Sequence, residues 1–165
     1  MIETERLLLR EIVPADAPFV LELHTDPDFR ANIGDRGVHD LASAERYVEE
    51  RPRASYARHG FGMWAVEGKA EGVPLGMCGL LKRDWLDHVD LGYAFLPAGR
   101  GRGYALEAAR ATMEWAAAQG LAPVLAIVNP DNLRSLALLD HLGFARRGRV
   151  EPPGETHSVL LLQKE

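Results

Sequence analysis

The sequence predicts a single mixed α/β (α+β) domain, and three observations predict it. Its 165 residues are 47% apolar and 26% charged, the balance of a soluble globular chain. Short alternating or wholly apolar runs are interleaved with segments whose apolar residues recur at helical spacing. Glycine and proline stand at most of the changeovers. A chain of this length buries roughly two thirds of its unfolded surface and needs neither disulfide nor metal to fold. No repeat, low-complexity tract or interior linker divides it, so residues 1–165 read as one unit.

The elements follow in order. Residues 6–11 (RLLLRE) have β character, and PADAPFVLELH (14–24) puts Phe19, Val20 and Leu23 on one helical face. Asp40 and Ser43 both qualify as N-caps of a second helix striped by Leu41, Ala44, Tyr47 and Val48. Pro52 should kink or split that helix before Gly60 ends it. Strands at 62–67, 74–82 and 88–96, joined by GKAEG and RDWLD, predict antiparallel pairing. Leu106, Ala109, Met113 and Ala116 predict a helix from Tyr104 to Gln119 with Gly120 as its stop, and PVLAIV (123–128) follows as a short buried strand. NPDN (129–132) offers asparagine caps and a proline at a first helical position for a helix through Leu133, Leu136, Leu139 and Leu142. Gly143 closes it, with Phe144 folding back on its last turn, and ARRGRV with HSVLLLQ predicts a terminal hairpin.

Composition excludes several function classes. The lone cysteine, Cys78, lies in the apolar run LGMCGLL, where a buried structural thiol is expected and not a nucleophile. A single thiol suits a reducing compartment. The first ten residues read as a strand and not as a signal, and no segment is apolar for the ~20 residues of a membrane span, so the expected location is cytoplasmic, off the membrane. A net charge of −5 argues against a broad nucleic-acid face. Any anionic ligand must then be held locally.

One place offers such a hold. AGRGRGYALEAA (98–109) sets Gly99, Gly101 and Gly103 with Arg100 and Arg102 where an extended run gives way to a helix. A helix start leaves N–H groups unpaired at the positive end of the macrodipole. Glycine there lets an anion touch the backbone and permits positive φ, while the arginines add charge. A merely tight turn would use the same residues. No Gly-Lys pair followed by Ser or Thr exists, which excludes a Walker A loop, and Leu106 and Tyr104 stand where a dinucleotide G-x-G-x-x-G would need its third glycine.

Arg100-Gly101-Arg102-Gly103-Tyr104-Ala105 does fit R-x-x-G-x-A. This resembles the acetyl-coenzyme-A signature of the GNAT acetyltransferases. ETERLLLREIVPADA (3–17), HGFGMWAVE (59–67), LGYAFLPAGRGRGYALEA (91–108) and NPDNLRSLALLDHLGF (129–144), in that order, are similar to the branch that acetylates ribosomal-protein N-termini, the RimJ/RimL type. The resemblance implies a mixed, mostly antiparallel sheet of six or seven strands with about four helices, splayed between the strands at 88–96 and 123–128 so that the cofactor's pantetheine arm fills the gap. It also implies pantetheine bonds to the backbone around Tyr93 and Phe95. The diphosphate would then lie on the amides of Gly101, Arg102, Gly103, Tyr104, Ala105 and Leu106, with Arg100 and Arg102 beside it. Asn132 and Ser135 match a second cofactor-contacting segment, although Asn132 is equally a helix cap and Ser135 a small first-turn residue.

The implied activity is acetyl transfer from acetyl-CoA to a primary amine, by direct attack in a ternary complex. A peptide or protein N-terminus is the favoured acceptor, because an α-amine (pKa about 7.7–8.0) is far more often neutral at pH 7 than a lysine (about 10.4). A small amine as acceptor and a non-catalytic coenzyme-A-binding module both stay open, as does a homodimer. Many family members place a tyrosine acid four residues before the closing Gly-Phe, but that position is Leu139. Ser135, or a water, is the expected substitute. His24, Asp35, His39, Asp84, Asp87, His88 and Asp90 are candidate bases, none singled out. Trp64 and Trp115 are expected in packing, and Trp85 as a wall for the acceptor.

Overall fold

A computed structural model describes the whole chain, Met1–Glu165. One eight-stranded sheet runs in the order β1-β2-β3-β4-β5-β6-β8-β7, built from β1 (Ile2–Glu3), β2 (Leu7–Arg10), β3 (Met63–Gly68), β4 (Pro74–Leu81), β5 (Asp90–Phe95), β6 (Val124–Val128), β7 (Ala145–Val150) and β8 (Val159–Lys164). Every neighbouring pair is antiparallel except β5 and β6. The two-residue edge strand β1, too short to carry an alternating pattern, is one more than the sequence foretold.

Two apolar layers sandwich the sheet. Leu7, Leu9, Trp64, Leu80, Leu91 and Phe95 face α5 (Tyr104–Ala118) and α6 (Leu133–His141), whose Ala108, Ala109, Ala116 and Leu139 complete that core. Ala65, Met77 and Leu96 face the other way, onto α1 (Ala17–Thr25), α2 (Pro27–Asn32) and α3 (Leu41–Val48) through Val20, Leu23, Phe29, Ala44 and Val48. The period of two along each strand thus splits its side chains between the cores.

The helix punctuation follows residue chemistry. Asp40 is the cap of α3: its carboxylate accepts from the Ser43 amide at 2.8 Å, while Ser43 Oγ accepts from the Asp40 amide at 3.0 Å. Pro52 sits in a π-type turn, Glu49–Arg53, that joins α3 to α4 (Ala54–His59), and Gly60 ends α4 at φ +81°. Gly120 follows α5 at φ +73°. After α6, Phe144 N–H bonds the Leu139 carbonyl at 3.0 Å and Gly143 N–H bonds that of Asp140 at 3.0 Å, a Schellman ending with Phe144 buried.

Two local features depart from expectation. Pro130 does not open α6; the helix begins at Leu133 because Asn132 accepts from the Ser135 amide and holds a non-helical backbone. Residues 27–32, which carry no long apolar stripe, form α2, capped by Asp26 and anchored by the single buried Phe29.

Candidate functional site

The sheet opens between β5 and β6. Their register pairs only Asp90 with Leu125, and Leu125 N–H bonds the Val89 carbonyl at 2.8 Å. Leu96 N–H turns the other way, to the Leu75 carbonyl on β4, at 2.9 Å. Alternation along the strand therefore points the backbone groups of Leu91, Tyr93 and Phe95 at the opening, and those of Ile127 at it from the opposite lip. Beyond Asp90 no strand pairs with this edge, and the Phe95 carbonyl at its end accepts from Arg100 Nε.

At the end of β5 the chain makes a short 3₁₀ turn, Pro97–Gly99, then enters α5 at Tyr104. Gly101 and Gly103 both hold φ +76°, a conformation that strains any residue with a Cβ. None of the amides from Gly101 to Leu106 donates to another group of the chain. These N–H groups lie unpaired at the positive end of a fifteen-residue helix. A shallow cleft of about 430 Å³, flanked by Arg6 and Arg110, opens beside it onto Gly103 and Leu106.

The arginines at this corner are already engaged. Arg100 donates its amide to Pro97 O at 3.1 Å and Nε to Phe95 O at 3.0 Å, while its two terminal nitrogens bond Asp28 and Asp26, each at 2.7 Å. Arg102 pairs with Glu71 of the β3–β4 turn, which also accepts from the buried Tyr104 hydroxyl at 3.3 Å. Arg6, just before β2, joins them. It bonds the Arg102 carbonyl at 2.7 Å and Glu107 at 2.8 Å, and lies over the Tyr104 ring at 4.7 Å. Its RLLLRE setting reads as a strand start, and only the fold brings it to the corner.

On the lip beside β6, Asn132 caps α6 through the Ser135 amide at 3.2 Å. Ser135 Oγ is hydrogen-bonded to the Tyr93 hydroxyl across the opening. That pairing joins two residues chosen from the sequence for separate reasons. Burial pushes the Tyr93 phenol up to about 12, so it stays protonated at neutral pH. Leu139 is 1% exposed in the core and has no proton to give.

The remaining candidates scatter. Asp90 is 1% exposed and paired with Arg83 at 2.9 Å; burial raises its pKa against the opposing pull of Arg83. Asp35 and His39 form an exposed pair at 3.3 Å, and Asp84, Asp87 and His88 are exposed. His24 is buried between Phe29 and Tyr47, its Nδ1–H donating to Val20 O at 2.9 Å and Nε2 unpartnered. Burial lowers its pKa to about 4. Trp64 packs edge-on against Trp115 at 5.1 Å, and Arg83 lies 5.8 Å over Trp85. Cys78 is fully buried beside Thr112, its thiol pushed up to about 12 by burial. No three His, Cys, Asp or Glu side chains gather as metal ligands, and no helix is long and apolar enough to cross a membrane.

An open sheet edge ending at a glycine turn with free amides is the frame that the acetyl-coenzyme-A signature implied, and residues 6–145 match the model of the acetyltransferase (GNAT) domain. The chain belongs to the GNAT acetyltransferase family. It is therefore an acetyl-CoA-dependent N-acetyltransferase with the GNAT fold. A protein of Bacillus subtilis (strain 168), YkkB, described as uncharacterized, is 27% identical over 144 residues, covering 85% of this chain and 82% of its own. The acetyltransferase of Agrobacterium tumefaciens str. C58 superposes with a TM-score of 0.83 at 26% identity, over 99% of this chain and 93% of that one. RimL, a ribosomal L7/L12 α-N-protein acetyltransferase solved with coenzyme A, shares the fold (TM-score 0.81; 98% and 94% coverage) at 18% identity.

Proposed function

We propose that the opening between β5 and β6 receives the pantetheine arm of acetyl-CoA as an extra strand, with the diphosphate on the amides of Gly101 to Leu106. The unbonded state of those amides, at the end of an unpaired strand edge, is the observation that carries this reading. The backbone of Tyr93 and the N–H of Phe95 serve the arm. Gly101 and Gly103 keep the approach bare, and Tyr104, Ala105 and Leu106 present the first turn. Arg102 lies beside the diphosphate, and Asn132 shapes the lip by capping α6.

The bound donor supplies a thioester acetyl group. The neutral amine forms a C–N bond to its carbonyl carbon, the C–S bond breaks, and the surplus ammonium proton leaves to solvent. Ser135 Oγ, backed by the Tyr93 hydroxyl, donates a hydrogen bond to the departing sulfur. A thiol of pKa near 8.5 holds its charge near neutrality at a cost of about 2 kcal/mol, so a hydroxyl pair and a water suffice where a stronger acid is absent.

The favoured acceptor is a peptide or protein N-terminal α-amine, as in the RimJ/RimL branch, acting in the cytoplasm. Support comes from the four matching segments and from the pKa of an α-amine. The test is intact-mass spectrometry of peptide and small-amine panels after incubation with acetyl-CoA, alongside thiol release. Release that depends on an added peptide, with the added mass at its first residue, is expected. Acetylation of small amines alone would move the acceptor class, and no amine-dependent release would leave a coenzyme-A-binding module.

A further inference from the structure

Helix α2 is tied to both lips of the opening. At its start, Asp26 and Asp28 each bind Arg100, whose Nε holds the last carbonyl of β5, that of Phe95. At its end, the Asn32 carbonyl accepts from Asn129 Nδ2, one residue past β6, at 3.0 Å. The helix packs through Phe29 on the sheet face away from α5 and α6. Six residues rising 1.5 Å each span about 9 Å. Two strands with room for one more between them lie about 9.6 Å apart, twice the usual spacing.

We propose that α2 is a spacer that fixes the opening at the width of one strand, with Arg100 and Asn129 as its positioning residues. The inference rests on the opening being the pantetheine cleft. Without the spacer the lips are free to close or drift, and the arm must meet an edge that is no longer set to receive it. Arg100 then serves the cofactor through the lip it anchors. A free guanidinium would have been expected of a direct diphosphate ligand, but all its donor nitrogens point at α2 and Phe95.

The two roles separate by ligand. Coenzyme A carries the arm, whereas 3′-phosphoadenosine 5′-diphosphate has the same nucleotide and diphosphate without it. Titration calorimetry of both ligands is to be run on the wild type, Arg100→Lys, Asn129→Ala and the Asp26→Asn/Asp28→Asn double variant. Asparagine at 26 retains the cap oxygen of α2, and Asn129→Ala leaves the charged network intact, so failure of one variant to fold leaves others to decide. Each variant is expected to weaken coenzyme A roughly five- to tenfold while changing the arm-less nucleotide less than about twofold. In the free variants, amide exchange at Leu125, whose N–H closes the junction of the two lips on Val89 O, is expected to quicken. Equal loss for both ligands, or no loss for coenzyme A, overturns the spacer. Wild-type protein that binds the nucleotide no more weakly than coenzyme A would instead remove the cleft reading itself.

Discussion

Replacing Gly101 with alanine separates the conformational cost of the corner from its contact with an anion. At φ +76° a Cβ strains the backbone by about 1–2 kcal/mol, and nothing lies within 4 Å of where it would sit, so no clash adds to that cost. Gly120 supplies a matched control at the far end of the same helix, with φ +73° and equally open space. Both variants are expected to lose about 1–2 kcal/mol, lowering Tm by roughly 2–8 °C. Only Gly101→Ala adds a methyl group to the turn that carries the free amides. Loss of one hydrogen bond to a charged group costs about 1.5–3 kcal/mol, which is roughly ten- to hundredfold in Kd for acetyl-CoA. Denaturant unfolding reads the first effect and titration calorimetry the second. Unchanged acetyl-CoA affinity in Gly101→Ala, or an equal loss in Gly120→Ala, refutes the placement of the diphosphate.

Three further outcomes are expected. Ser135→Ala lowers kcat at saturating acetyl-CoA by up to about thirtyfold, the equivalent of 2 kcal/mol, with Tyr93→Phe losing less; unchanged turnover in Ser135→Ala removes the serine from the chemistry. His24, held neutral in the fold with a pKa of about 4 against an ordinary 6.5, contributes stability that is full above pH 6.5 and is lost as pH falls towards 4. That contribution is about 3 kcal/mol, so unfolding free energies of His24→Phe should fall less steeply over that window, and parallel pH curves for the two proteins would contradict it. The Cys78 thiol, fully buried and with a raised pKa, should react with iodoacetamide at pH 8 only as fast as the protein opens; rapid alkylation of the native chain would show it is accessible.

Much of the fold was legible because it is local. The caps at Asp40 and Asn132, the break at Pro52 and the glycine stops after α4, α5 and α6 each answer a need of the nearest few peptide units. The glycine corner was legible for the same reason. Helix α2 was not, since six residues give too little periodicity and its stability comes from Phe29 and from partners outside the segment. Nor were the arginine partners: Arg100 reaches acids 72 and 74 residues away, and Arg6 reaches a glutamate 101 residues on.

By itself the sequence determined the order of every element but β1 and α2, the glycine turn and the unpaired amides at the head of α5, because torsional preference and unpaired N–H groups belong to short stretches of chain. The tertiary structure alone decided that β5 and β6 part after a single register pair, that Tyr93 and Ser135 meet across the gap, and that α2 bridges it. β4 and β8 occupy the outer edges of those two strands, and the ties from α2 to Arg100 and Asn129 join residues about 70 to 100 positions apart, which no local signal encodes.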